Sequence, residues 1–175
     1  MLALCCALLA WAPPLRAQGV EVLGLEASRQ DGMVALDYNL HVTLPRGVAE
    51  AVQRGVPIYF VAQATLYRPR WYWRDERVAR VKREWRLTYQ PLTSSWRLGQ
   101  GGLAQSVASL PEALAAMSRT VQWKIADTAQ IDADLRYYIE FTWQLDTSQL
   151  PRPLQIGIGG QSDWALGVER SLKLE

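Results

Sequence analysis

The residues best equipped for chemistry lie between Arg68 and Arg86. Eight cations (Arg68, Arg70, Arg74, Arg77, Arg80, Lys82, Arg83 and Arg86) share these 19 residues with three acids, Asp75, Glu76 and Glu84. The segment is thus net +5, whereas the 175-residue chain is only +2 overall, so the remainder is net acidic. Trp71, Tyr72, Trp73 and Trp85 stand among these charges. Guanidinium groups beside indole rings suit cation–π stacking. Trp, Tyr and Arg are also the side chains enriched at interface hot spots. The candidate binding surface is therefore Arg68, Arg70, Trp71, Tyr72, Trp73, Arg74, Arg77 and Arg80. Three roles fit it. It can be a solvated edge hairpin, with cations discouraging edge pairing and Trp turned inward. It can meet an acidic protein. It can meet an anionic envelope molecule, lipid or polysaccharide, through Arg and interfacial Trp.

Catalytic chemistry has little to work with. His41 is the single imidazole, and it falls on the polar side of an alternating segment, where it is exposed or bonded to a neighbour. One His, and two Cys placed together at Cys5-Cys6, leave no ligand set for zinc or copper. No Gly-x-Ser-x-Gly elbow is present to present a serine nucleophile. Asp127, Asp132 and Asp134 form an acidic cluster without the ligand rhythm of a calcium loop, so loop solvation accounts for them. Gly157-Ile158-Gly159-Gly160 precedes no helix that would aim its N-terminus at a phosphate, and reads as a bend. No catalytic residue, metal ligand or cofactor is assigned. A pair of carboxylates acting alone, as in glycosidases, would need a separation that sequence does not give.

The elements that must position the basic aromatic segment alternate with period two. Val34, Leu36, Tyr38, Leu40, Val42 and Leu44 form one apolar face, with mostly polar residues between. Leu135, Tyr137, Ile139, Phe141, Trp143 and Leu145 form another, and Trp164 to Leu174 a third. Val121, Trp123 and Ile125 give a shorter face, as do Trp96 and Leu98. Val56 to Tyr67 is apolar on both sides, which places it near a sheet centre. Val81, Arg83, Trp85, Leu87 and Tyr89 share one face of the following strand, so Arg74-Asp75-Glu76-Arg77 is the expected hairpin turn. Val20 to Ala27 changes phase near Leu23, which predicts a bulge. Pro45 to Gly55 reads as a short helix ending at a glycine cap. A second runs from Ser109 to Met117, with Ser109 at the cap, Pro111 in the first turn and Glu112 in the capping-box position. The expected fold is mainly β: an immunoglobulin-like antiparallel β-sandwich of about 7–8 strands with two short helices.

Residues 1–17 read as a signal peptide, followed by a single domain over 18–175. Leu2 to Trp11 is an apolar run of about ten residues, half the ~20 that span a bilayer, and Ala17 suits a cleavage site. Its removal takes both Cys with it and leaves no disulfide framework. The exported domain is then expected in the periplasm, with no transmembrane helix and no nucleic-acid partner.

Several motifs also resemble a known family. They are Arg68-Pro69-Arg70-Trp71-Tyr72-Trp73, Trp85-Arg86-Leu87-Thr88-Tyr89, Trp96-Arg97-Leu98, Ser109-Leu110-Pro111-Glu112-Ala113-Leu114, and the run from Leu145-Asp146-Thr147-Ser148-Gln149 to Leu154. With these the chain resembles DUF4390, a family of exported bacterial proteins, over roughly residues 20–172. The resemblance implies a Gram-negative periplasm or envelope, and it implies no activity. Its members are often encoded beside a membrane sensor kinase, which suggests that kinase's extracytoplasmic domain as the partner. The expected function is a non-enzymatic protein-interaction module, with peripheral membrane contact allowed. The alternatives are a carrier of an apolar or amphipathic small molecule between two sheets, and a binder of anionic lipid or polysaccharide through residues 68–86.

Overall fold

The computed structural model describes residues 19–152 and 162–174. The expected signal peptide, Cys5-Cys6 and the Gly157–Gly160 bend lie outside the described residues. Among those described, nine strands and two α-helices follow in order: β1 (Val20–Gln30), β2 (Met33–Val42), α1 (Arg46–Gln53), β3 (Ile58–Arg68), β4 (Glu76–Gln90), β5 (Ser95–Gln100), β6 (Leu103–Val107), α2 (Leu110–Ser118), β7 (Arg119–Asp127), β8 (Tyr137–Leu145) and β9 (Gly167–Leu174). They form two antiparallel sheets. One has the order β1-β2-β7 and the other β6-β5-β4-β3-β8-β9. The protein is thus mainly β. No helix among the described residues is long and apolar enough to cross a membrane.

Burial follows the period-two pattern. In β8, Tyr137, Ile139, Phe141, Trp143 and Leu145 are buried, while Tyr138, Glu140 and Thr142 are half-exposed. Strand β3 lies between β4 and β8, the central place its doubly apolar sequence predicts, but burial is mainly one-faced: Ile58, Phe60, Ala62, Ala64, Thr65 and Leu66 are buried while Tyr59, Val61 and Gln63 are half-exposed. Aromatic rings lock the layers together. Tyr38 of β2 meets Phe141 of the larger sheet at 4.9 Å between centroids, and within the larger sheet Phe60 of β3 stacks on Trp143 of β8 at 5.0 Å.

Helix α2 is fastened at both ends. The Ser109 hydroxyl accepts the Glu112 N–H, and the Glu112 carboxylate accepts the Ala108 N–H at 2.8 Å. A helix leaves its last four carbonyls without intrahelical partners. Here the Met117 carbonyl accepts from both the Tyr38 hydroxyl and the Trp143 indole N–H, each at 3.3 Å. One buried oxygen thus satisfies the polar tips of two core aromatics, one from each sheet. Burial raises the Tyr38 phenol above its ordinary value, partly offset by a hydrogen bond with Thr120 and by nearby Arg83.

Several expectations need correction. There are nine strands among the described residues, because β6 was not anticipated. Its residues Leu103 to Ser106 are exposed on both faces, so no alternation marks it. Trp164 sits in a short 3-10 turn, Ser162–Trp164, and β9 begins at Gly167. Leu135 precedes β8 and is exposed. Val121 is exposed although Trp123 and Ile125 are buried. The cause is Gln122, whose φ of 51° breaks the alternation where the β2–β7 register shifts between Leu36 and Tyr38. The Gln122 N–H donates to the Asp37 carboxylate at 2.6 Å. The bulge expected near Leu23 is present, with the β1–β2 register shifting between Val22 and Gly24. Helix α1 ends before Gly55, whose φ is +88°, a conformation that costs glycine little.

The Met117 arrangement predicts a graded response in denaturant unfolding. Tyr38→Phe removes one hydrogen bond and is expected to cost about 1 kcal/mol. Trp143→Ala opens a cavity between the sheets as well and is expected to cost ~3–5 kcal/mol. Equal, small losses for both variants would show that the carbonyl does not organise the core.

Candidate functional site

The basic aromatic segment forms the far end of the β3–β4 hairpin. Arg68 pairs with Glu76 and Tyr67 with Arg77, so the connection is Pro69 to Asp75. This corrects the expected turn at Arg74–Arg77: Glu76 and Arg77 already belong to β4. The segment was read too short because the turn is a seven-residue loop carrying its own aromatic residues.

The loop is braced by its two acids. The guanidinium groups of Arg68 and Arg70 both donate to the same oxygen of Glu76, the Arg70 bond being 2.5 Å long. The Asp75 carboxylate accepts the Arg70 backbone N–H at 3.1 Å through one oxygen and the Tyr138 hydroxyl at 2.6 Å through the other. Tyr138 reaches it from β8, and its ring stacks on Tyr67 at 5.3 Å. Both carboxylates are held below the usual range: Asp75 by the Tyr138 hydroxyl and then the Arg70 N–H, Glu76 chiefly by Arg70. The Tyr138 phenol is pushed well above its ordinary value, first by desolvation and then by Asp75, so it stays a proton donor. Each exposed pair contributes little stability alone. Together they fix the loop's shape.

What the loop holds outward is aromatic. Trp71 is 94%, Tyr72 66% and Trp73 74% exposed, while Trp85, Trp123, Trp143 and Trp164 are all buried. Trp71 and Tyr72 touch edge to face, 5.1 Å between centroids. The inward-facing reading therefore applies to Trp85 and not to the loop. The anticipated cation–π contacts occur elsewhere: Arg83 lies over Trp123 of the other sheet at 5.1 Å, and Arg86 over Tyr59 at 5.9 Å. Arg83 also donates to the Thr120 hydroxyl at 3.3 Å.

The eight candidate residues thus divide. Arg68 and Arg70 are braces. Trp71, Tyr72 and Trp73 are the exposed crest. Arg74, Arg77 and Arg80 are exposed beside it, and none forms an ion pair among the described residues. Strict alternation would send Arg77 and Arg80 to opposite faces. The register shift between Leu66 and Tyr67 absorbs one residue around Val78, so Arg77 lies opposite Tyr67 and Arg80 opposite Thr65. Val78 and Ala79 pack on the core, and both arginines stay outside. Arg80 donates to the Gln63 side chain, and Lys82 pairs with Glu84 at 2.7 Å. Tyr138 and Tyr67 were not among the candidates. Tyr138 lies 63 residues from Asp75, and no local spacing announces that contact.

The other motifs have structural roles. The Asp146 carboxylate accepts the Ser148 N–H at 3.0 Å, the Ser148 hydroxyl at 2.6 Å and the Gln149 side chain at 2.8 Å. Burial alone would raise this carboxyl, but those bonds hold it low. The Asp146 N–H donates to the Tyr59 carbonyl, so the Leu145–Leu150 run closes the end of β8 against β3. Asp127 pairs with Lys124 at 2.5 Å, and Asp132 accepts the Asp134 N–H. His41 is exposed, 3.5 Å from the Thr43 hydroxyl.

The brace has a defined pH sense. Carboxylates lowered by folding contribute above their ordinary range and lose that contribution as pH falls through their folded values. Amide exchange in residues 70–75 is therefore expected to be flat from neutral pH to about 5, once corrected for intrinsic rates, and to accelerate below about 4. Tyr138→Phe is expected to accelerate it at neutral pH. Unchanged corrected exchange in that variant would remove Asp75–Tyr138 from the account.

No curated protein and no solved structure matches the chain. A family model does: residues 17–172 match the one described as Domain of unknown function (DUF4390). That match spans both sheets and the braced loop, and the chain belongs to the DUF4390 family.

Proposed function

We propose that this chain is a non-enzymatic docking module of the bacterial cell envelope, exported by residues 1–17 and working in the periplasm. The observation that supports this is the braced β3–β4 loop. It spends its acids internally and leaves Trp71, Tyr72, Trp73, Arg74, Arg77 and Arg80 facing outward. An aromatic residue held exposed by neighbouring hydrogen bonds has lost part of its freedom before binding, which favours recognition.

The partner in this reading is a membrane protein with an acidic extracytoplasmic surface, such as the sensor domain of a kinase. The outward cations supply complementarity and speed of encounter. The inward aromatics favour a packed core over a carrier's cavity, because their rings contact one another and their polar tips are satisfied.

Strand order supports an immunoglobulin-like reading of the two sheets. The order β1-β2-β7 corresponds to strands A-B-E of a variable-type domain, and β5-β4-β3-β8-β9 to C″-C′-C-F-G. The difference is β6, which pairs with β5 and not with the smaller sheet. In that frame the loop is the C–C′ turn.

Crosslinking in the periplasm followed by capture tests the protein partner. Arg74→Glu, Arg77→Glu and Arg80→Glu made together reverse the outward charge and leave the brace intact. Recovery of a membrane protein with wild type is expected to fall at least ~10-fold with this variant. The same partners at the same yield would rule out the cationic face as the contact.

A further inference from the structure

We infer that the crest of the β3–β4 loop, Trp71-Tyr72-Trp73, seats in the headgroup layer of an anionic bilayer, with Arg74 and Arg77 against the lipid phosphates. The inference rests on the reading of the chain as an envelope docking module, and it adds the surface that the crest itself meets.

Shape carries the first step. The crest is a narrow convex turn: every residue from Trp71 to Asp75 is exposed. A stable protein interface needs roughly 800 Å² from each partner. A seven-residue loop offers less by itself, so a protein contact draws on the cationic face of β4, Arg77 and Arg80, and leaves the crest to another surface. A lipid surface needs no matching groove, because headgroups rearrange around whatever enters.

Composition carries the second step. The crest holds Trp and Tyr, with no Leu, Ile or Phe between Pro69 and Asp75. These two side chains concentrate at membrane–water interfaces, where the ring sits among acyl carbons and the N–H or O–H stays hydrated. In this chain the choice is not forced by shortage of core positions, since four other Trp are buried.

Charge carries the third step. Glu76 is neutralised by Arg68 and Arg70, whereas Asp75, bonded only to the Tyr138 hydroxyl and the Arg70 N–H, keeps its charge at the crest, where the outward cations Arg74, Arg77 and Arg80 outnumber it by two. Arg74 and Arg77 remain unpaired among the described residues and flank the rings. A bilayer rich in phosphatidylglycerol complements that field, and each arginine near such a surface is worth roughly a fivefold gain in partitioning. The bulge at Val78 places Arg80 on the same side as Arg77, which extends the positive face along β4.

The test uses the whole exported chain and vesicles that contain no protein. Vesicles of phosphatidylcholine are compared with vesicles of phosphatidylcholine and phosphatidylglycerol in equal parts. Co-sedimentation with the anionic vesicles, and a blue shift of Trp emission on binding, are expected at low salt. Raising NaCl to about 1 M shortens the screening length to ~3 Å and is expected to release the protein. Trp71→Ala, Tyr72→Ala and Trp73→Ala made together are expected to lower partitioning about tenfold or more and to abolish the blue shift. Arg74→Gln with Arg77→Gln, at two exposed positions that hold no brace, is expected to lower it ~20-fold with folding unchanged.

Wild-type protein that ignores both vesicle types overturns the inference, as does undiminished binding by the aromatic variant. Vesicle failure alongside intact protein capture would leave the docking module standing and assign the crest to a protein groove. Vesicle binding without any captured protein would remove the protein partner and keep the membrane contact.

Discussion

Helix α2 ends on a buried carbonyl that core aromatics of both sheets share. Met117 closes helix α2 with an oxygen that the helix cannot satisfy, and Tyr38 and Trp143 both point their polar tips at it. Aromatic residues of this size supply most of the apolar area of a small β core, but each brings a donor that is costly to bury unpaired. Solving both with one acceptor fixes helix α2 at the junction of the sheets. The Ser109 and Glu112 caps matter for the same reason, because they hold the other end of that helix.

From this core the hairpin extends to its tip. Strand β3 lies between β4 and β8 with one face buried, and β4 is the longest strand among the described residues, at 15 residues. Their pairing continues to Arg68 and Glu76. The last rung is therefore an ion pair reinforced by Arg70, and the stacked Tyr67 and Tyr138 rings support it from β8. Hydrogen bonds and stacked rings thus run from the centre of the sheet to the base of the aromatic crest. Of the three acids in the segment, Asp75 and Glu76 serve the brace and Glu84 pairs with Lys82. The tip of the segment therefore presents exposed aromatic rings beside an excess of positive charge.

Much of the fold was readable because one face of nearly every strand is buried. Val34 to Val42 and Tyr137 to Leu145 alternate in sequence as they do in space. The bulge near Leu23 was visible as a change of phase. The failures have a common cause. Strand β6 has no buried face, so it leaves no periodic trace. Val121 is exposed because Gln122 adopts a positive φ, a backbone event with no composition signature. Trp164 was assigned to a strand because a buried Trp in a 3-10 turn looks the same in sequence as a buried Trp in a strand.

Sequence by itself determined the mainly β character, the central place of β3, both helices and their caps, and the concentration of cations and rings between Arg68 and Arg86. These follow from local periodicity and local charge, which a chain carries before it folds. Only the tertiary structure decided which of those residues are free to bind. Glu76 could neutralise any of several arginines, and its choice of Arg68 and Arg70 depends on hairpin register. Asp75 is fixed by Tyr138 across 63 residues, and the bulge at Val78 puts Arg77 and Arg80 on one face. Contacts between distant segments and a one-residue change of register are properties of the folded sheet, and no local pattern encodes them.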